Sequence, residues 1–287
     1  MSWTLSEDID AYADAVVPLL SRSPAEHTIG LTVIEYAKRQ SKPRDPPELY
    51  GWWTDDAGAV TGAMLHTPGH EPLLERVPDD AVHALLDALV ARGHSVTGVN
   101  GPAKEALTFA AVATSALGCR AELGHAIRLF RLEDLQVPDP MPPGAARPAG
   151  RADQRWLVEW VEAFATEAHA PVADVVESVV QRLGHDGFRV WVDAEGQPVS
   201  MAARSLPAAG VSRIGPVYTP LGQRRRGYGA AATAAAAAAI LDEGALPVLF
   251  TDLANPTSNA LYQRLGFRPV SDRVWLTFHD REGRLRA

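Results

Sequence analysis

Residues Arg213 to Ala230 read R-I-G-P-V-Y-T-P-L-G-Q-R-R-R-G-Y-G-A. A strand pattern ends at Thr219-Pro220, a basic turn of Arg224, Arg225 and Arg226 follows, and Gly227 and Gly229 open an alanine-rich helix. The first turn of a helix carries backbone N–H groups without internal partners, and the macrodipole adds positive potential there. Glycine lets that backbone come close to an anion. The chemistry this spacing suggests is the holding of a pyrophosphate or a similar polyanion. The same residues also read as a solvated arginine turn that caps the helix. No Gly-Lys-Ser/Thr follows, so the turn is not a Walker loop, and the first glycine of a dinucleotide fingerprint is missing.

A second segment, Asn255-Pro-Thr-Ser-Asn-Ala-Leu-Tyr262-Gln-Arg-Leu-Gly266-Phe267, follows the next strand pattern. Asn255, Asn259 and Tyr262 stand at i, i+4 and i+7, and on a helix they share a face. That face is expected to look toward the end of the preceding strand. The two segments together resemble the GNAT superfamily of N-acetyltransferases, whose cofactor motif is (Gln/Arg)-x-x-Gly-x-(Gly/Ala). Here the motif reads Arg224-Arg225-Arg226-Gly227-Tyr228-Gly229. The upstream Val217-Tyr218-Thr219-Pro220 and the later Asn…Tyr…Leu-Gly-Phe match the family pattern in order and distance.

The resemblance spans residues 150–287; over 1–135 it rests on element order alone. It implies acetyl-CoA as co-substrate, with backbone groups of Val217, Tyr218 and Thr219 pairing with the pantetheine arm as an added strand would. The Arg224–Ala230 turn, with Tyr228 and Gly229, would hold the pyrophosphate. Asn255 and Ser258 would contact the acyl-pantetheine region, and Tyr262 would protonate the leaving thiolate. The implied reaction is direct attack of a primary amine on the acetyl carbonyl, polarised by a backbone N–H near Val217. A phenol of ordinary pKa, about 10, can act as the acid for a thiolate.

No general base is assigned. Glu167, His169 and Asp252 are candidates by position. The third strand of the second half offers Ser212 and Arg213 where family members keep a glutamate.

The elements that must position these residues are read from periodicity. Leu157, Trp160, Val161 and Phe164 define one helix, with Asp153 as its expected cap. Val172 to Leu183 gives a second helix, ending at Gly184. Strands are expected over Phe188–Val192, Val199–Ser205 and Val211–Thr219, then a helix over Gly229–Glu243. A strand over Val248–Asp252, a helix over Ser258–Leu265 and a last strand over Val274–Phe278 complete the half. The run Ala230–Ala239 is strong helix former whose small side chains suit close packing on a sheet. The first half repeats this order more loosely: a hairpin over Tyr50–Thr54 and Val60–His66, a helix over Val82–Val90 and a strand over Val96–Val99. A helix over Lys104–Leu117 and a strand over Ala126–Leu132 follow. No Arg-x-x-Gly-x-Gly stands between Leu74 and Asp80, so the first half reads as a degenerate copy without the cofactor turn.

Val137–Gly150, V-P-D-P-M-P-P-G-A-A-R-P-A-G, reads as an extended proline-rich connector that is neither helix nor central strand. The expected fold class is α/β (α+β): two tandem acetyltransferase-like domains, each a mixed, mostly antiparallel sheet flanked by helices. The expected boundaries are 1–136 for the degenerate domain, 137–150 for the linker and 151–287 for the acetyl-CoA-binding domain.

Composition narrows the partners. Lysine and arginine number 27 against 35 aspartates and glutamates, a net charge of −8 over 287 residues. Such a balance disfavours nucleic acid. The single cysteine, Cys119, excludes an internal disulfide and suits a reducing compartment. The histidines lack metal-ligand spacing, so no metal is expected. The acidic amino terminus and the absence of a long apolar run point to a cytoplasmic protein without a membrane partner. A small-molecule or peptide amine is the expected acceptor, and the oligomeric state is not readable. A non-catalytic CoA-binding or regulatory module is the alternative; a polyanion-binding protein using the arginine turn is a weaker one.

Overall fold

The computed structural model describes residues 1–39, 46–168, 174–280 and 282–285. His169 and the first residues of the helix expected from Val172 lie outside them.

The chain runs β1 (Ser2–Ser6), α1 (Ile9–Leu20), α2 (Thr28–Arg39), β2 (Leu49–Thr54), β3 (Val60–His66), β4 (Leu73–Arg76), α3 (Val82–Ala91), β5 (Gly98–Pro102), α4 (Ala103–Leu117) and β6 (Arg120–Leu132). It continues through β7 (Ala145–Pro148), α5 (Gln154–Glu167), α6 (Val175–Leu183), β8 (Phe188–Val192), β9 (Pro198–Arg204), β10 (Val211–Tyr218), α7 (Tyr228–Asp242), β11 (Leu246–Asp252), α8 (Pro256–Arg264) and β12 (Phe267–His279). The order β-α-α-β-β-β-α-β-α-β therefore occurs twice. The class is the mixed α/β one expected, with sheet flanked by helices.

Two compact units divide the chain, and the division is not a single cut. Residues Met1–Leu129, Asp252–Ala254 and those from Val270 onward form the first unit; Phe130–Thr251 and Asn255–Pro269 form the second. In the first unit the strands follow the order β1-β2-β3-β4-β5-β12-β6. Pairing is antiparallel from β1 through β4 and between β5 and β12, and parallel between β4 and β5. Helix α1 packs on β2 and β3. Helices α3 and α4 cover Val99, Val274, Leu276 and Phe278 in one buried core.

The last strand departs from expectation. From Val270 onward it completes the first unit's sheet, with Arg273 opposite Pro102 and Thr277 opposite Gly98. Alternation explains the fit: Val274, Leu276 and Phe278 enter the core under α3 and α4, while buried Arg273 meets buried Glu75.

In the second unit the order is β11-β10-β9-β8-β7. Helix α7 covers one face, its buried alanines at 231, 232, 234, 236 and 237 packing with Ala202, Ile214 and Leu249. Helices α5 and α6 cover the other through Leu157, Val161 and Val179, which meet Phe188, Met201 and Ala203. The two faces alternate along β9, as a strand covered on both sides requires.

Two local expectations change. The proline-rich stretch is a connector only in its first part, because Ala145–Pro148 forms β7, antiparallel to β8. Pro148 is tolerated there because β7 is the outermost strand of its sheet. Asp153 does not cap α5 with its side chain; it accepts from Gly150 N at 2.8 Å and is paired to Arg147 at 2.7 Å.

Candidate functional site

The site is built at the end of β10 in the second unit. Val211–Ile214 run parallel to Leu246–Leu249 of β11. Against β9 the register slips between Ile214 and Val217: three steps on β10 face two on β9, from Arg204 to Ala202. This is a β-bulge, and it bends the strand away from its neighbour. Gly215, with φ of 146°, lies within it. Val217 and Tyr218 thus lie beyond the segment paired with β11.

The turn after β10 is held from below. Ser200 Oγ donates to Tyr218 O at 3.1 Å and shares a hydrogen bond of 2.8 Å with Thr219 Oγ1. Arg224 Nε donates to Thr219 O at 2.8 Å. Arg225 and Gly227 take φ of 63° and 83°, so the chain reverses hand before α7 begins. Gly227 is the N-cap of α7 and supplies no side-chain acceptor to the helix's first N–H groups. Those groups keep their capacity for an anion. A Cβ on Gly229 would stand 3.3 Å from Thr219 Oγ1, a tight contact that the threonine side chain would have to yield to by a few tenths of an ångström. At its far end α7 is tied to β9: Glu243 receives both guanidinium nitrogens of buried Arg204 at 2.6 Å.

The arginines of the turn are not equivalent. Arg225 and Arg226 are exposed, whereas Arg224 is half-buried and donates to Glu167 Oε2 at 2.5 Å. Its guanidinium lies 5.7 Å from the ring centre of Tyr218, whose hydroxyl faces Glu167 Oε1 at 3.4 Å. Burial, aided by the charge of Glu167, pushes the Tyr218 phenol up against the opposing pull of Arg224. Tyr228 is buried and packs beside Ala231 and Ala232, a core role that its place in the motif does not reveal.

Asn255, Ser258 and Tyr262 are brought together by α8. Asn255 does not lie on the helix: it is the N-cap, its Oδ1 accepting from Ser258 N at 3.0 Å and its carbonyl from Asn259 N at 3.1 Å. Pro256 follows in the first turn, where a missing N–H costs nothing. The side chain of Asn255 is thus committed to starting α8. Tyr262 packs against the α7 core with its ring 6.2 Å from Phe267. Burial pushes its phenol up to about 12, so it keeps its proton throughout the neutral range.

Of the candidate bases, Glu167 is held by Arg224 and Tyr218, and Asp252 lies in the first unit, where it accepts from Ala254 N at 2.7 Å. Ser212 is buried and bonded to Ser205 O at 2.8 Å, a strand-fixing contact. Sequence reading missed Trp156 and Ser200 beside the site. The hydroxyl of Ser200 carried no motif signal, whereas Trp156 stands one helical turn before Trp160 and was visible as a spacing.

Among the described residues no group of three His, Cys, Asp or Glu side chains is placed to hold a metal, and no helix is long and apolar enough to cross a membrane.

Comparison with known proteins bears on the fold. Residues 193–276, which hold β10, the basic turn, α7 and α8, match the model of the FR47-like protein family. No curated protein matches the sequence. Among solved structures, a GCN5-related N-acetyltransferase from Sphaerobacter thermophilus aligns over 99% of this chain and 96% of its own, with a TM-score of 0.65 and 17% identity. A tandem GNAT protein from the clavulanic acid biosynthesis pathway aligns over 96% of this chain and 98% of its own (TM-score 0.55, 14% identity). A GCN5-related N-acetyltransferase from Kribbella flavida covers 76% of this chain and 88% of its own (TM-score 0.52, 22% identity). At these identities the likeness is one of fold: the chain has the fold of the GCN5-related N-acetyltransferases, with an FR47-like segment that includes its basic turn.

Proposed function

We propose that the second unit binds acetyl-CoA and transfers its acetyl group to a primary amine, and that the first unit is a degenerate copy of the same domain. The observation that carries this reading is the Gly227-capped start of α7, set beside the bulged end of β10 and flanked by exposed Arg225 and Arg226. Its uncapped N–H groups suit a pyrophosphate. The backbone of Val217 to Thr219 suits the pantetheine arm as an added strand.

In the reaction the amine nitrogen attacks the thioester carbonyl carbon, the C–S bond breaks, and the nitrogen gives up a proton while the sulfur gains one. A backbone N–H near Val217 would polarise the carbonyl. Tyr262 stands as the acid, yet its raised pKa changes how it acts. A thiol of ordinary pKa, about 8.5, is a stronger acid than a phenol at about 12. Tyr262 therefore stabilises the leaving sulfur by donating a hydrogen bond, and full transfer follows only as the amine releases its own proton. The second reading is a module that binds CoA without turnover. The net charge of −8 disfavours nucleic acid as a partner.

Calorimetry with acetyl-CoA on the wild type and on Gly229→Glu tests the binding half. Wild type should bind one equivalent, and the variant should lose about 100-fold or more in affinity, because a carboxylate then faces the phosphates. No binding by wild type removes the proposal. Release of free thiol with a panel of amines tests the transfer half, and binding without release would leave the sensor.

A further inference from the structure

We propose that Trp156, Trp160, Tyr218 and Glu167 form the acceptor site of the second unit, for a primary amine of single positive charge carried on an aromatic or other flat apolar body. This rests on the acetyl-transfer reading above. Trp156 and Trp160 meet edge to face at 4.6 Å, and Trp160 lies 5.9 Å from Tyr218, so three rings run in sequence toward the end of β10. All three are half-buried against the core of Leu157, Val161 and Met201, which fixes them while leaving part of each ring open. Such a ladder offers flat apolar area at little cost in side-chain freedom.

The protein's own cation marks where the charge belongs. The Arg224 guanidinium lies between the Glu167 carboxylate, at 2.5 Å, and the ring of Tyr218, at 5.7 Å. A substrate ammonium meets the same two demands, a carboxylate partner and an aromatic face. Tyr218 is also the residue after Val217, so an amine seated here is one residue from the backbone that would polarise the acetyl carbonyl. The charge count sets the class. Among the described residues Glu167 is the one carboxylate in ion-pair reach of Arg224, and the Arg224 Nε bond to Thr219 O at 2.8 Å would keep a displaced guanidinium nearby. A second positive charge on the substrate would meet the Arg224 guanidinium, which disfavours polyamines.

The test uses the full chain saturated with CoA and follows tryptophan fluorescence as amines are added. 2-Phenylethylamine should quench and bind about 10-fold or more tightly than 1,4-diaminobutane. Neutral 2-phenylethanol should bind more weakly than the amine. Trp160→Leu and Glu167→Gln should each weaken 2-phenylethylamine by about 10-fold, with thermal melts confirming that both variants fold. Should Trp160→Leu fail to fold, Glu167→Gln together with the diamine comparison carries the test. Equal or tighter binding of the diamine, or unchanged affinity in Glu167→Gln, overturns the assignment. Acetyl-CoA heat without quenching by any amine also overturns it and leaves the cofactor reading intact. Absence of acetyl-CoA heat instead removes the reading on which the assignment rests.

Discussion

The segment after the third of the three consecutive strands is built on opposite principles in the two units. In the second, β10 parts from β11 beyond Ile214, and a basic turn with Gly227 at its apex opens α7. In the first, the gap beside β4 is filled from within. Arg273 of β12 donates to Leu74 O at 3.3 Å and pairs with Glu75, which also takes bonds from His27 at 2.9 Å and Gly30 N at 2.8 Å. Strand β5 closes in as well, since a Cβ on Gly101 would reach Leu74 O at 2.7 Å. The turn that follows, Pro78-Asp79-Asp80-Ala81, is short and acidic, with Asp79 paired to Lys104 at 3.0 Å. Identical element order thus yields a parted strand end with a basic turn in one unit and a sealed joint in the other. What decides is the contents of the strand gap and the sign of charge at the turn.

The contrast can be broken hardest at the seal. Arg273→Met leaves the fully buried Glu75 carboxylate without its cation and should destabilise the first unit by about 3–5 kcal/mol. Hydrogen exchange across β4 and β5 should show the loss, while the second unit still binds acetyl-CoA. Replacing Glu75 and Arg273 together by apolar residues of similar size should recover most of it. Next in size, Tyr262→Phe should lower kcat by about 100-fold with little change in acetyl-CoA affinity, read by steady-state kinetics and calorimetry. Equal turnover would remove Tyr262 from the chemistry and sharpen the case for a backbone-only site.

Acid should weaken the seal. Burial alone would raise the Glu75 carboxyl, but the charge of Arg273 and the bonds from His27 and Gly30 outweigh it and hold the group below its ordinary range. A depressed native pKa gives stability that is present above the unfolded value and lost as pH falls through the carboxylate range toward the native one. Thermal melts of the first unit should fall over that window. The smallest expected effect is the most diagnostic. Asp79→Arg with Asp80→Arg should leave acetyl-CoA binding, read by calorimetry, at one site per chain, because charge reversal does not reopen a gap filled by Arg273.

Much of the second unit was legible because its patterns are local. Phe188–Val192 is a strand with the bounds read from its alternation, and the alanine run packs as small side chains predict. In the first unit α1, α2, β1 and β4 were not read. Helix α1 carries Pro18 inside it, α2 mixes β-branched residues into its apolar face, and β4 has only 4 residues. The turn's glycines were visible, but the division of labour among the arginines was not, because Arg224 is claimed by Glu167, a residue 57 positions away. Asn255 was legible as a cap from the Asn-Pro step at the start of α8, a signal that reading it as part of a shared helix face overrode. The pairing of Val270 onward with β5 had no local trace. A strand pattern reports its own alternation and not the identity of its neighbour.

That pairing also sets a schedule. Glu75 and Arg273 are separated by 198 positions, and β5 has no partner on one side until β12 exists. At bacterial-like synthesis rates the residues up to Leu129 would wait roughly 10–30 s for Val270 to be made. Throughout that interval the nascent first unit presents an open sheet edge and a Glu75 that lacks its arginine partner, the kind of surface that chaperones recognise and aggregation exploits. The final stretch of the chain acts, in that sense, as the latch that lets the beginning finish folding.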